Sequence, residues 1–346
     1  MKIAIVGTQG SGKSSLFCGL SGAEYAPGST MKFNTATVNI ADPRLDKLHQ
    51  AMCPDKKIVY PQMDFTDSVP LYLESNLKDK NPAALGHLRE HDCIIIMVPA
   101  FSFEKLSAES VKRYYGDIRT ELLLADLQII ENRSERLRVQ IERHAPTHVQ
   151  DKKELELLTL LRAELENTGR ISVDKLGAEQ EKTARCFCFF ALKPIVAVIN
   201  IGEAVFTPDN SMDFPFFIIN ASLELEIMSM PSQEQKDFLQ AYGIEKPRFK
   251  EFSKWCYDKF GMITFFTVGP KEAHAWRLKN GSTALDAGGT IHSDIAKGFI
   301  SMEVIKYADW DALGSMKEVK NKGRTRTEGR TYIMQDGDMI DIRFNV

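Results

Sequence analysis

Residues Gly7-Thr8-Gln9-Gly10-Ser11-Gly12-Lys13-Ser14 occupy every fixed position of the phosphate-binding loop pattern G-x-x-x-x-G-K-[ST]. The chemistry this spacing supports is the grip on a nucleoside triphosphate. Gly7, Gly10 and Gly12 permit the tight turn that aims successive main-chain amides at phosphate oxygens. Ser11 and Ser15 complete the nucleotide-binding set at this loop. Lys13 would neutralise the β- and γ-phosphates and is the first catalytic candidate, while the Ser14 hydroxyl would ligate Mg²⁺. A helix starting near Lys13 adds its positive dipole end.

Further candidates lie at the ends of other segments. Thr35, in Lys32-Phe33-Asn34-Thr35, falls on an expected loop after the first helix, where a GTPase places its Mg²⁺-coordinating threonine. Asp67 follows the segment Gln62–Thr66, the position of an aspartate that holds the metal through water. It is the second catalytic candidate and, with Ser14 and Thr35, a metal candidate. The expected D-x-x-G glycine is missing, because Asp67 is followed by Ser68-Val69-Pro70. That glycine donates its amide to the γ-phosphate, and proline has no amide hydrogen. The γ-phosphate sensor is thus damaged or rebuilt. Asn200-Ile201-Gly202-Glu203 stands where GTPases carry N-K-x-D, although an ordinary loop also fits N-x-x-E. With Glu203 for aspartate and Ile201 for lysine, strict guanine selection is expected to be lost. Ala221 and Ser222, after Phe216–Asn220, close the nucleotide-binding list.

The elements that must carry these residues read as short buried strands at Lys2–Val6, Gln62–Thr66, Cys93–Val98, Pro194–Asn200 and Phe216–Asn220. Runs such as IAIV, CIIIMV and IVAVI do not alternate, as expected of parallel strands covered on both faces. Helical stretches between them predict a doubly wound α/β sheet, whose ligands bind beyond the carboxyl ends of the strands. From about Gly116 to Phe187 there is no strand signal. Leu123, Leu127, Ile130, Ser134, Leu137 and Ile141 form a seam at spacings of three and four, and Ala145-Pro146-Thr147-His148 breaks the helix. Leu155, Leu158, Leu161 and Leu165 follow on a second helix, which predicts an inserted antiparallel hairpin. After Gly261, ITFFTVG, EAHAWRL, GFISMEVI, RTYIM and DMIDIRFNV read as short strands of a β-rich domain.

The 346 residues suffice for two or three domains, and a net charge of −3 argues against a uniformly basic nucleic-acid binder. A local basic run does exist: Lys317, Lys320, Lys322, Arg324, Arg326 and Arg330 against Glu318 and Glu328. It reads as an RNA-phosphate contact or as a solvated loop. Cys186 and Cys188, inside CFCFFAL, are expected to be buried packing. His87, His91, His274 and His292 lack metal-ligand spacing. No run approaches the roughly 20 apolar residues of a membrane span, and no secretory leader precedes the first strand, so the cytoplasm is the expected compartment.

Taken together these blocks resemble the YchF family of Obg-like ATPases, within the TRAFAC class of P-loop GTPases. The resemblance is carried by Met1–Gly7, Asp42-Pro43-Arg44-Leu45-Asp46-Lys47-Leu48, Glu121-Leu122-Leu123-Leu124-Ala125-Asp126-Leu127 and, most specifically, ITFFTVGPKEAHAWRLKNGS, GGTIHSDIAKGFISMEVI and QDGDMIDIRFNV. It implies a P-loop domain over 1–116 and 188–261, a helical hairpin over 117–187 and a ubiquitin-like β-grasp TGS domain over 262–346. It also implies adenine binding through Asn200, Ile201 and Glu203, Mg²⁺ ligation by Ser14 and Thr35, and slow ATP or GTP hydrolysis coupled to the ribosome or its RNA. The chain departs from the family pattern in the P-loop serines, in a shorter segment between Phe33 and Asp42, and in Pro70-Leu71-Tyr72-Leu73-Glu74-Ser75-Asn76 after Asp67. A hydrolysis-deficient scaffold is the alternative, and a strict GTPase is disfavoured by Glu203.

Overall fold

The structure, a computed structural model, describes residues 1–23, 33–143, 146–241, 247–269 and 271–345. Lys32, Ala145 of the anticipated helix break, and Pro270 lie outside the described residues. The chain divides into two compact units, Met1–Ala36 with Asp64–Pro247, and Thr37–Met63 with Arg248–Val346.

The first unit is built on β1 (Lys2–Val6), β2 (Asn34–Asn39), β4 (Gln62–Asp67), β5 (Cys93–Val98), β6 (Ile195–Asn200) and β7 (Phe216–Ile219), in the order β2-β4-β1-β5-β6-β7. Every pairing from β4 to β7 is parallel. Ala4, Val6, Ile94, Ile96, Val98, Ala197 and Ile199 form one buried face, packed against α3 (Asn81–Leu88) and the first turns of α4 (Ala108–Glu142). Ile3 and Ile5, equally buried, alternate to the other side. Each valine or isoleucine among them contributes about 1.5–3 kcal/mol on leaving water, so the non-alternating strands are held by both faces. α1 (Lys13–Ser21) and α7 (Ala221–Ser229) follow β1 and β7, and α8 (Ser232–Ala241) ends the unit. The strands expected in this unit are all present. β2 was not anticipated: its Thr-rich, half-exposed sequence carries no apolar run, and its β-branched residues suit an edge strand.

The helical arm starts eight residues before Gly116. Ser107 caps α4 through a capping box, accepting from Ser110 N–H at 3.2 Å while Ser110 Oγ accepts from Ser107 N–H at 3.0 Å. α4 runs 35 residues and packs along α5 (His148–Thr168). Ile130, Leu137, Leu158, Leu161 and Leu165 form the buried seam, closed by Phe189 and by Ala184 of α6 (Ala178–Cys186). Asp126, fully buried, accepts from Arg89 at 2.7 Å and from Ala191 N–H at 2.9 Å. Contrary to expectation, Cys186 and Cys188 are exposed. The run CFCFFAL turns at the end of α6 instead of extending, and Phe189 and Phe190 take the interior positions.

In the second unit the sheet order is β11-β10-β12-β8-β9-β3. The strands are β3 (Lys57–Val59), β8 (Met262–Val268), β9 (Glu272–Lys279), β10 (Phe299–Lys306), β11 (Arg326–Glu328) and β12 (Asp338–Phe344). β12 runs parallel to β8 between the antiparallel pairs β8–β9 and β10–β12, with α10 (Ala284–Ile291) between β9 and β10 in sequence, the arrangement of a β-grasp fold. α2 (Pro43–Met52) and β3 belong to this unit although they precede β4 in sequence. Arg44 pairs with Asp42 at 2.8 Å and with Asp336 at 2.6 Å. RTYIM is not a strand. It turns at Gly329, where Tyr332 N–H meets the Gly329 carbonyl, and only Ile333 forms a bridge, to Thr283.

Candidate phosphate-binding site

Gly10 and Gly12 sit at φ of 74° and 95°, a region that favours glycine. Gly12 is also the residue preceding α1, and a Cβ there would lie 2.4 Å from Asn200 Nδ2. A Cβ on Gly7 would lie 2.7 Å from Ser11 Oγ and 2.8 Å from the Met97 carbonyl. Gly7 is therefore fixed by close approach, Gly10 by turning, and Gly12 by both. Gly12 offers no side chain to cap α1, and the first turn holds no acidic residue, so this helix start suits an anion.

Lys13 is buried, and its ammonium donates to the carbonyls of Gly7 at 3.1 Å and Thr8 at 2.7 Å. Burial pushes its pKa down to about 8, opposed by the charge of Asp67. Asp67 is the last residue of β4, and its Oδ2 accepts from Ser14 Oγ at 2.6 Å. Burial raises the Asp67 pKa, while the Ser14 hydroxyl and Lys13 pull it down. Its Oδ1 is buried and has no hydrogen-bond partner. Ser11 Oγ is buried and unpartnered as well. A hydroxyl and a carboxylate with a spare buried oxygen fit Mg²⁺, which takes few protein ligands and keeps waters and phosphate oxygens for the rest. Among the described residues no group of three His, Cys, Asp or Glu side chains is placed to hold a metal.

Thr35 is not on a loop but in edge strand β2, where its hydroxyl pairs with Thr66 Oγ1 at 2.8 Å. Among the described residues it makes no hydrogen bond to Ser14 or Asp67, so the structure gathers Lys13, Ser14 and Asp67 and leaves Thr35 beside them on the sheet. The segment after Asp67 is tied down. Ser68 Oγ donates to the Ile5 carbonyl at 2.6 Å, and the amide of fully buried Leu71 donates to the Gly7 carbonyl at 3.1 Å.

Asn200 is a brace. Its Nδ2 donates to the Ser11 carbonyl at 3.3 Å and its Oδ1 accepts from Ala221 N–H at 3.1 Å, joining the loop to the start of α7. Ala221 is buried, whereas Ser222 is exposed. Ser15 and Ser222 line a cavity of about 750 Å³ between α1 and α7, with Cys18, Leu225 and Met228. Ile201 is half-buried against the β5–β6 core, and Glu203 is exposed on the turn that Gly202 makes at φ 58°.

Two nearby residues had no sequence signal. Phe101, 47% exposed, lies 2.9 Å from where a Cβ on Gly202 would sit. Tyr114, from α4, hydrogen-bonds Thr8 inside the loop. Neither belongs to a motif, and only the fold brings them to the site.

Comparison with known proteins gives one consistent result. The family profile YchF-GTPase_C, described as "Protein of unknown function (DUF933)", matches residues 262–345. The chain is 33% identical over 366 residues to "Ribosome-binding ATPase YchF" of Haemophilus ducreyi, covering 100% of this chain and 99% of the relative. The protein of the same name from Bacillus subtilis is 33% identical over 364 residues, with 99% and 98% covered. In the "Structure of the Schizosaccharomyces pombe YchF GTPase" the fold matches at a TM-score of 0.75 and 20% identity, covering 99% of this chain and 97% of that one.

Proposed function

This chain belongs to the YchF family, and from that premise we propose that it binds ATP with Mg²⁺, hydrolyses it slowly and acts as a nucleotide switch on the ribosome. The observation that carries the reading is the Lys13–Ser14–Asp67 group gathered at a loop turned by Gly10 and Gly12.

Lys13 exchanges its two carbonyl partners for phosphate oxygens, which restores the ammonium that burial disfavours. Ser14 would offer an oxygen lone pair to the metal while its hydroxyl goes on donating to Asp67 Oδ2, and the spare Asp67 Oδ1 would accept from a water. Mg²⁺, when bound, screens the charge that builds on the β- and γ-phosphates. Water attacks the γ-phosphorus directly, the bond to the β,γ-bridging oxygen breaks, ADP leaves with that electron pair, and the water's proton passes to the departing inorganic phosphate. No glutamine follows Pro70 to orient that water, and Leu71 is turned into the core, so turnover is slow. Base choice rests with Asn200, Ile201 and Glu203, with GTP accepted beside ATP. In this reading 1–116 and 188–261 carry the nucleotide, 117–187 is a docking arm, and the TGS-type region 262–346 meets ribosomal RNA. All six cations of the Lys317–Arg330 run are exposed, which favours that last contact.

A second reading, a scaffold that binds nucleotide without turnover, is favoured by the Leu71–Gly7 hydrogen bond, which holds the γ-phosphate-sensing segment in place. Calorimetry with ATP, GTP and their diphosphates in Mg²⁺, followed by single-turnover hydrolysis against Lys13→Ala, tests both. Phosphate release lost in the variant supports the enzyme. Nucleotide affinity without Lys13-dependent release supports the scaffold, and no affinity for any adenylate or guanylate rejects both.

A further inference from the structure

We propose that Tyr114 is a positioning residue of the phosphate loop, and that Tyr114 and Glu121 together make the start of α4 a clamp joining the helical arm to the nucleotide site.

The two residues are seven apart, two helical turns, and so share one face of α4. Tyr114 Oη accepts from Thr8 N–H at 3.0 Å and shares a second hydrogen bond with Thr8 Oγ1 at 2.9 Å. Burial raises the pKa of the phenol, which stays neutral and keeps a proton to donate. Its ring packs beside Phe103, with centroids 6.1 Å apart, a role phenylalanine would fill equally. The hydroxyl is spent on the loop.

Glu121 grips the other flank. Asn81 Nδ2 donates to Glu121 Oε2 at 3.2 Å and to the Tyr72 carbonyl at 2.9 Å, while Asn81 Oδ1 accepts from Tyr72 N–H at 2.9 Å. Lys78 pairs with the remaining Glu121 oxygen. Asn81 and Glu121 are both buried. Tyr72 is the neighbour of Leu71, whose amide is on Gly7. One helix therefore holds the loop through Thr8 and the segment after Asp67 through Asn81. The same helix continues without interruption to Ile130 and Leu137 in the hairpin seam. A load on the arm that rotates α4 moves both flanks of the site together.

The clamp stands on these contacts alone, and its effect on nucleotide rests on the ATP reading. Hydrogen exchange on the full chain without nucleotide tests the clamp. Tyr114→Phe should speed exchange in the peptide spanning residues 6–13 about fivefold to tenfold, the worth of one neutral hydrogen bond. Glu121→Gln should do the same for residues 69–77, with 93–98 and 195–200 unchanged in both variants. Unaltered exchange in the targeted peptides, or a uniform rise through the sheet, overturns the proposal. Adding ATP and Mg²⁺ should then slow exchange across residues 107–130 in the native chain and do so less in Tyr114→Phe. Equal slowing in both overturns the Tyr114 route. A native chain that binds no nucleotide defeats the ATP reading, while the first measurement still decides the clamp.

Discussion

Ser14 and Asp67 meet at 2.6 Å although 53 positions separate them, so the first turn of α1 and the last residue of β4 share one proton donor and one buried carboxylate. That pairing is held at a cost to the fold.

The cost is measurable at Asp67. Its pKa is raised in the folded chain, so its favourable contribution is complete below the ordinary value of 3.8 and is lost as pH rises through the folded value. Asp67→Asn should therefore melt above the native chain at pH 7, with the gap closing toward pH 4. It should also need about 10–100-fold more Mg²⁺ for hydrolysis. Thermal melts across pH 4–8 and a Mg²⁺ titration check this, and a lower melting point at pH 7 contradicts it.

Burial holds the Lys13 pKa down to about 8, and a bound phosphate should raise it. Above pH 8 the free chain loses the ammonium that the complex keeps, so affinity should fall by up to about tenfold per pH unit. Lys13→Ala should bind about 100-fold more weakly at pH 7 and show no such slope. Calorimetry from pH 7 to 9 reads both, and a native affinity flat over that range removes Lys13 from the phosphates.

Gly12→Ala forces a Cβ against Asn200 Nδ2 at a φ of 95°. The expected loss is about 1–3 kcal/mol of stability. Asn200→Ala strands the Ser11 carbonyl and the Ala221 amide, for a similar loss of about 1–3 kcal/mol. Denaturant melts give both values. Additive losses in the double variant would mean that the two residues do not share a contact.

Phe101 presents an exposed ring beside the turn of Gly202. Phe101→Ala should weaken ATP about fivefold to 150-fold if the ring stacks on the base, from a stacking contribution of roughly 1–3 kcal/mol. Inorganic triphosphate should bind unchanged. Equal weakening of both ligands would point to a damaged loop and not to a lost base contact.

Reversing Lys317, Lys320, Lys322 and Arg324 to glutamate should abolish salt-sensitive pelleting with ribosomes. Each lost phosphate contact lowers the salt slope by about 1. Pelleting that survives the reversal assigns the run to solvent.

Strands β1, β5 and β6 were legible because they are buried on both faces and so read as unbroken apolar runs. The seam of Ile130, Leu137, Leu158 and Leu161 was legible for the same kind of reason, a period matched to its burial. The P-loop was legible because backbone geometry restricts it to glycine at fixed spacing. The rest depends on tertiary contacts that no local pattern records. Thr35 read as a loop residue, yet neighbouring β4 draws it into an edge strand. Cys186 and Cys188 sat in an apolar run, yet Phe189 and Phe190 won the interior. Tyr114 and Phe101 reach the site only because α4 and the turn after β5 are folded against it.

Strand β3 carries a consequence for biosynthesis. Lys57–Val59 pairs in parallel with Glu272–His274, contributed by chain on the order of 200 residues later. During elongation at about 5–20 residues per second, the early piece waits roughly 10–40 s for its mate. Its unsatisfied edge, with the apolar side of α2, stays open throughout that interval. A fragment ending before Met262 would inherit the same orphaned stretch permanently, so shortened versions should precipitate or recruit chaperones even though their P-loop is whole.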